Sequence, residues 1–496
     1  ILALLMHYID IIIIATYLFL ILGVGIYTRK YVNNFSDFMI AGRKVGLSLS
    51  VVTMLGTELG LITVMYNAQS GSNSFFASFH IGLAAFIVTL IVGLSGFVVT
   101  KLRSLEVKSI PEYYNIRFGK NVRILGAILL CLGGILNMGL FLKVGAIFIQ
   151  SIFGLDDNSI LIIMSILIIL VLLYTMMGGM VSVIITDYIQ YIILSIGFFI
   201  SIFFSIKLLG WSELFISLES IISKSNTNVV NVNNHIYNPF SSNGLPYVSW
   251  QVVLGFVSAV VWPTAITRAL SIENVELVKK HYIWSSFSFL IRFILPAFLG
   301  ICAFIYFDGN STGSSLELFP KYLSEILPVG ALGIVVAGML AAFMSTHDSY
   351  LLCWSSIITN DIIEPLLGRE ISSEKKIQLT RFIILILGMY IFVWGMFYEG
   401  SDAIWDYLSI TGAVYFTGAI SVIVMGIYWK KASSTGAILA LLGGLSAIIG
   451  LEPIRNAIGI NLDNPSIIGL STLALSIILM ILGSLIFPDN NKIKKV

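Results

Sequence analysis

Ala341-Ala342-Phe343-Met344-Ser345-Thr346-His347-Asp348-Ser349 sets three hydroxyls and a carboxylate inside a stretch otherwise apolar enough to lie in a membrane. On a helix turning about 100° per residue, Ala342, Ser345, Thr346 and Ser349 share one face, and Asp348 lies about 60° from Ser345. Lipid cannot satisfy such groups, so this face must meet protein, water or an ion. Short oxygen ligands on one face suit a small hard cation.

The rest of the chain agrees with a membrane setting. Of its 496 residues, 57% are hydrophobic and 11% charged, against about 25% charged in a soluble protein. Cys131, Cys302 and Cys353 sit in apolar segments at unrelated spacings, which reads as three small core residues and not as a disulfide framework or a metal site. The first apolar run has no small-residue cleavage site and reads as a span, not a leader. Apolar runs of about 20 residues, the length of a bilayer-crossing helix, fall near 8–28, 46–67, 75–100, 121–152, 159–178, 183–209 and 247–268. Others fall near 281–307, 328–359, 376–397, 403–428, 434–451 and 465–487. The expectation is an all-α polytopic membrane protein of 13 transmembrane helices.

An odd count puts the termini on opposite faces, and the basic residues choose which. With the N-terminus outside, only Lys207, Lys224, Lys321 and Arg455 of the 28 basic residues face outward, and Lys143 and Arg292 lie within spans. The others gather on cytoplasmic segments, so the C-terminus is expected in the cytoplasm. The longest polar insertion, 210–246, is then external, either a lid or a flexible loop. No soluble domain is expected after the last span.

Two spans read as interrupted. Gly56-Thr57-Glu58-Leu59-Gly60 weakens the second near its middle, and a break would free backbone carbonyls for a cation. The alternative is that the glycines serve close helix packing while Glu58 pairs with a basic residue. The seventh carries Gly255 and then Trp262-Pro263-Thr264. With the first span set aside, spans 2–6 and 7–11 form two groups of five, each opened by an interrupted helix. That pattern points to an inverted-repeat transporter with its site near the midplane.

Four stretches carry a family resemblance. They are Ser109-Ile110-Pro111-Glu112-Tyr113-Tyr114 with Arg117-Phe118-Gly119; Tyr174-Thr175, Gly178-Gly179, Val183 and Thr186-Asp187 through Gln190; Ala341–Ser349; and Gly426-Ile427-Tyr428-Trp429-Lys430 with Gly436. In this order they resemble the sodium:solute symporter family, whose fold is LeuT-like with one extra helix before the core. The resemblance implies a single transmembrane domain over 1–496: an extra helix in 1–45, repeats over 46–209 and 247–428, and two C-terminal helices in 429–496. It also implies a Na⁺ site in which carbonyls of Gly56, Leu59 and Ala342 join the hydroxyls of Ser345 and Thr346. Those hydroxyls could instead bond back within their own helix. Some relatives hold a second Na⁺, whose positions here read Asp187, Ser345, Asp348 and Ser349; Asp187 could equally cap its helix.

Lys143, in Leu140-Phe141-Leu142-Lys143-Val144-Gly145, is too deep in the fourth span to snorkel. A lone buried charge costs several kcal/mol, so it needs a partner. A Glu58–Lys143 pair facing substrate is the expectation; a substrate carboxylate on Lys143 is the other reading. Gly60, Thr63, His80 and Trp262 complete the expected solute site, while His347 faces elsewhere and Arg292 has no partner the sequence names.

No nucleophile–base pair, zinc-ligand spacing or phosphate-binding Gly-Lys-Ser/Thr motif occurs in the spans, which argues against an enzyme and against ATP-driven pumping. The reading is a Na⁺-coupled symporter importing a small polar organic solute, a zwitterion or carboxylate before a neutral sugar. It is expected in a plasma membrane of the bacterial inner-membrane type, functional as a monomer, with solute, Na⁺ and lipid but no nucleic acid as partners. The alternatives are a proton-coupled or uniport carrier using Glu58 and Lys143, and a membrane sensor on the same fold.

Overall fold

The computed structural model describes residues 7–225, 236–309, 315–397, 404–459 and 466–489. The fold is helical, and among these residues the one recorded β-contact is an isolated bridge between Val45 and Ile272. Ten helices are long and apolar enough to cross a membrane, or twelve if each of two bent pairs is one span. The expected thirteenth depends on separating the pair Leu47–Glu58 and Leu61–Ser74 from Phe79–Ser95, which together count as fewer by length alone.

The first helix, α1 (Tyr8–Thr28), is tied to the rest by a carboxylate. Asp10 Oδ1 accepts from the backbone N–H groups of Gly330 and Gly333, both at 2.7 Å. These are free donors at the start of a helix that runs from Ala331 to Ile357, so Asp10 caps that helix from a neighbour.

The second span is broken as expected. It comprises α2 (Leu47–Glu58) and α3 (Leu61–Ser74). Between them Leu59 leaves the helical region (φ −94°, ψ 53°) and Gly60 is extended (φ −72°, ψ 164°). A Cβ on Gly60 would lie 2.0 Å from Thr346 Oγ1, so only glycine lets the break approach the helix that carries the hydroxyls. After α4 (Phe79–Ser95) and α5 (Ile110–Phe118), the fourth span comes as α6 (Lys120–Gly139) and α7 (Phe141–Phe153).

The fifth and sixth runs meet without a loop in α8 (Ile160–Leu209), which kinks at Gly179 (φ 55°, ψ −153°). That left-handed φ belongs to glycine, and a Cβ there would fall 2.7 Å from the Phe38 carbonyl. The described start of the 210–246 insertion is helical, α9 (Trp211–Ser225). Residues 226–235, most of its Asn-rich stretch, lie outside the described residues, so neither lid nor loop is decided there.

The seventh span is α10 (Leu245–Val261) and α11 (Pro263–Ser271), bent by 41° at Trp262. The proline forces the residue before it out of the helical region, and Trp262 is extended (φ −68°, ψ 123°). Pro263 then starts α11 at no hydrogen-bond cost. There follow α12 (Val275–Tyr306), α13 (Ser315–Ile326), α14 (Ala331–Ile357), α15 (Ser373–Phe397), α16 (Ile404–Tyr428), α17 (Ser434–Leu445) and α18 (Ser466–Ile486).

α14, which bears the opening stretch, is buried along nearly its whole length and packs against α8. α12 and α3 approach through small residues: a Cβ on Gly71 would lie 2.0 Å from the Ala297 carbonyl, and one on Gly300 2.0 Å from that of Ala68. This reciprocal contact brings Arg292 of α12 alongside the break in the second span.

Candidate solute cavity and cation site

A helix that stops at Glu58 leaves its last carbonyls without intrahelical donors. Each of three successive carbonyls is taken by a side chain. Ser345 Oγ donates to Gly56 O at 2.8 Å, and Thr346 Oγ1 to Thr57 O at 2.9 Å. Glu58 O accepts from Thr63 Oγ1 at 3.0 Å and Arg292 Nη1 at 3.2 Å. Ser345 Oγ is also 3.2 Å from Ala342 O. Gly56, Ala342 and Ser345 therefore share one cluster of oxygens between α2 and α14, with Thr346 one residue along. Among the described residues no hydrogen bond ties Leu59 O to that cluster; its backbone turns out of the helix beside Glu58. The donor set is all oxygen and carries no full charge, which fits a weakly held monovalent cation better than a divalent one. His347 turns away, its Nδ1 2.8 Å from Phe343 O and its ring against Phe141 and Phe343.

Next to these oxygens lies a cavity of about 100 Å³. Glu58, Thr63, Trp262, Arg292, Thr346 and Tyr350 contribute to its walls, together with Asn137 of α6 and Ser409 of α16. Tyr66 and Trp405 form one aromatic wall, 4.5 Å apart between ring centroids, and the ring of Phe293 packs against both. The opposite wall is Trp262, whose ring meets Tyr350, Trp354 and Phe416 edge-on and whose Nε1 donates to Tyr350 Oη at 3.1 Å. Glu58 enters the cavity held on both oxygens. Arg292 Nη1 donates to Oε2 at 2.7 Å, and Thr264 Oγ1 to Oε1 at 3.1 Å.

Two expectations are corrected here. Glu58 pairs with Arg292, not with Lys143. Lys143 is absent from the cavity wall and lies on the face of α7 packed against Gly395 of α15. The choice of partner follows from the close Gly71–Gly300 crossing, which carries α12 to the break while α7 turns its lysine the other way. His80 is likewise outside the cavity: its Nδ1 is 2.5 Å from Ala77 O, and its ring neighbours Tyr247. Thr63 and Trp262 do line the cavity, and Gly60 stands behind Thr346, outside the wall.

The residues expected around a second ion also come together, but around Arg268, which the basic-residue distribution places among the cytoplasmic charges. Arg268 of α11 is 1% exposed. Its Nη2 donates to Asp187 Oδ2 at 3.2 Å and Ser349 Oγ at 2.7 Å, and also reaches Thr57 Oγ1. Its Nε donates to the carbonyl and hydroxyl oxygens of Thr53, each at 3.1 Å, and Nη1 to Thr264 O at 3.2 Å. Thr53 Oγ1 donates to Asp187 Oδ2 at 2.5 Å. Asp348 stands behind Ser349: its Oδ1 accepts from Ser349 Oγ at 3.1 Å and its Oδ2 from Tyr174 Oη at 2.8 Å. Ser345 belongs to the first cluster by its bonds. One sequence signal could have placed Arg268 inside: it falls within the second half of the interrupted seventh span, before the helix ends.

A helical bundle with two interrupted helices, a cavity between them and an oxygen cluster at one break defines a LeuT-type membrane transporter fold. Solved structures agree. The chain superposes on a substrate-bound, outward-open Na⁺-coupled sialic acid symporter with a TM-score of 0.80 at 21% identity, over 98% of this chain and 100% of that one. It superposes on MhsT in complex with L-phenylalanine with a TM-score of 0.54 at 14% identity, over 88% and 97%. Within that class the chain belongs to the sodium:solute symporter family, whose sequence profile matches residues 38–444. It is 28% identical over 378 residues to sodium/glucose cotransporter 4 of Danio rerio, covering 70% of this chain and 56% of that protein. Against the sodium/glucose cotransporter of Vibrio parahaemolyticus it is 23% identical over 495 residues, 90% of this chain and 86% of that one. The chain thus spans just over half the length of the first of these relatives.

Proposed function

We propose that this chain is a secondary active symporter that couples inward Na⁺ movement to import of a small polar organic solute by alternating access. A zwitterion or carboxylate is favoured, because the cavity carries an ion pair. One observation supports this above the others: the carbonyls freed by the break at Gly56–Glu58 are captured on one side by Ser345 and Thr346 and on the other by Thr63 and Arg292. Gly56 belongs to the oxygen cluster and the next two residues, Thr57 and Glu58, line the cavity, so an ion at one alters the other.

Na⁺ would bind between Gly56, Leu59, Ala342, Ser345 and Thr346. To ligate it, the hydroxyls turn their hydrogens away from the carbonyls they now hold, and the ion bridges α2 and α14 in their place. With the N-terminus outside, α2 lies on the cytoplasmic side of the break, so release of the ion loosens that side first. The membrane potential contributes about 2.3 kcal/mol per charge per 100 mV to the cycle. A second Na⁺ at Asp187, Ser345, Asp348 and Ser349 would have to displace Arg268 from Asp187 and Ser349. We therefore read one Na⁺ per cycle, with the guanidinium holding the other cation position.

The reading is tested on purified full-length chain by following thermal stability while Na⁺ replaces K⁺ at constant ionic strength. Na⁺ is expected to raise the melting temperature saturably with a Hill slope near one. Equal effects of Na⁺ and K⁺ would overturn the Na⁺ reading, and a slope near two would restore the second ion.

A further inference from the structure

Arg292 differs from the other polar groups of the cavity in one respect. Among the described residues, several buried side-chain nitrogens and oxygens lack a partner, and of the residues lining this cavity Arg292 is the one that holds such an atom, its Nε. Its Nη1 is committed to Glu58. The guanidinium lies over the rings of Phe289 and Phe293, 4.4 Å and 4.7 Å from their centroids. The flat faces are thus given to aromatic carbon, and polar contact is left to the edge. An edge with two parallel N–H groups matches a carboxylate.

Glu58 is arranged in the complementary way. One oxygen is held by Arg292 and the other by a neutral hydroxyl, Thr264 Oγ1. The second oxygen can accept from a further cation without losing its ion pair. Both charges are mostly buried, with side-chain exposures of 11% for Arg292 and 13% for Glu58. Any arriving solute must leave that balance intact, because an uncompensated buried charge is strongly unfavourable.

Three solute classes meet this pair differently. A neutral polyol brings hydroxyls but no charge to either member of the pair, so it adds hydrogen bonds without extending the charge alternation. A simple carboxylate adds one negative charge beside Glu58 and competes with it for a single guanidinium. A solute carrying a carboxylate and an ammonium on neighbouring atoms adds one charge of each sign and extends the pair into a four-membered alternation. We propose that Arg292 and Glu58 are the two halves of a clamp for a small zwitterion of the α-amino acid type, the carboxylate on the free edge of Arg292 and the ammonium on Glu58. The aromatic wall of Tyr66 and Trp405 then receives the solute's apolar part. This assignment rests on reading the cavity as the solute site of a Na⁺-coupled carrier, and it makes Arg292 the residue that decides specificity.

The test is a thermal-shift panel on purified full-length chain, with and without saturating Na⁺. The probes are the proteinogenic L-α-amino acids, the amines and deaminated acids that correspond to them, D-glucose and myo-inositol. At least one amino acid is expected to stabilise the chain in a Na⁺-dependent way, with its amine and its deaminated acid at least ten-fold weaker. E58Q and R292Q should each fold, as circular dichroism and a monodisperse gel-filtration peak report, and lose the response to that amino acid. Should R292Q not fold, R292K keeps the charge without the fork and is expected to weaken amino-acid binding at least ten-fold. Stabilisation by glucose or inositol and by no amino acid overturns the clamp. So does an amino-acid response that survives R292Q or R292K unchanged, or a panel silent throughout while Na⁺ alone stabilises. A chain that does not respond to Na⁺ alone instead overturns the Na⁺ reading on which the clamp rests.

Discussion

Ser345 and Thr346 each hold a carbonyl of the broken helix with a hydroxyl that the proposed ion would need. S345A and T346A should each raise the Na⁺ concentration for half-maximal stabilisation by about ten-fold, the equivalent of ~1.4 kcal/mol for one lost oxygen ligand. Unchanged Na⁺ titrations in both variants would remove the site from α14. Arg268 makes a different prediction, about stability. R268A strands Asp187 in the interior and should cost about 3–5 kcal/mol, read by chemical unfolding in detergent, whereas R268M combined with D187L should recover most of that loss. A double variant no more stable than R268A would mean that the guanidinium acts through Thr53 and Ser349 more than through the carboxylate. These two groups also mark the limit of the sequence. The hydroxyl stripe could be read because four residues on one helix face are a local pattern. The partners of Glu58 and Asp187 could not, since Thr264 and Arg292 stand 206 and 234 residues from Glu58 and Arg268 81 residues from Asp187, and only packing decides which face of α7 or α12 turns inward.

Among elements, the interrupted helices were legible because their causes are chemical and local: Gly60 permits a close approach, and Pro263 drives Trp262 out of the helix. The two spans on either side of Gly179 were legible as well, at 159–178 and 183–209; what was not is that a single residue with a positive φ makes the turn between them. Nor was the attachment of α1. In sequence Asp10 is one acidic residue near the start of an apolar run, and in the fold it is 1% exposed and caps α14. D10A should lower stability by about 1.5–3 kcal/mol, the range for hydrogen bonds to a charged acceptor. D10N, which keeps one carbonyl oxygen for the same donors, should lose less. Because Gly330 and Gly333 lie three turns or more from Ser345 along the helix, Na⁺ titration should be the same in both variants as in the parent. A shifted titration would show that α1 sets the position of α14 and is not merely fastened to it.

At the scale of the whole molecule, the two interrupted spans are tied together at the ends away from the cavity. Val45, just before α2, and Ile272, just after α11, form a parallel bridge, with Val45 N donating to Ser271 O and Glu273 N to Val45 O, each at 3.2 Å. Arg103 clasps the same turn, Nε to Ile272 O at 2.8 Å and Nη2 to Glu273 O at 3.0 Å. Arg268 lies between this bridge and the cavity, reaching from α11 to Thr53 and Thr57 of α2. Both contacts join the first halves of the two repeats, so a path from the cavity past α2 requires them to part. Residues bridged in this way sit about 4.7–4.9 Å apart, within reach of a disulfide. In a V45C/I272C variant, oxidation should therefore hold this end shut. Na⁺ should still stabilise the oxidised protein, because Gly56, Ser345 and Thr346 are untouched. Exchange of labelled Na⁺ across reconstituted liposomes should stop on oxidation and return on reduction. Exchange that continues through the oxidised protein would mean that α2 and α11 move as one body, and that the route opens elsewhere in the bundle.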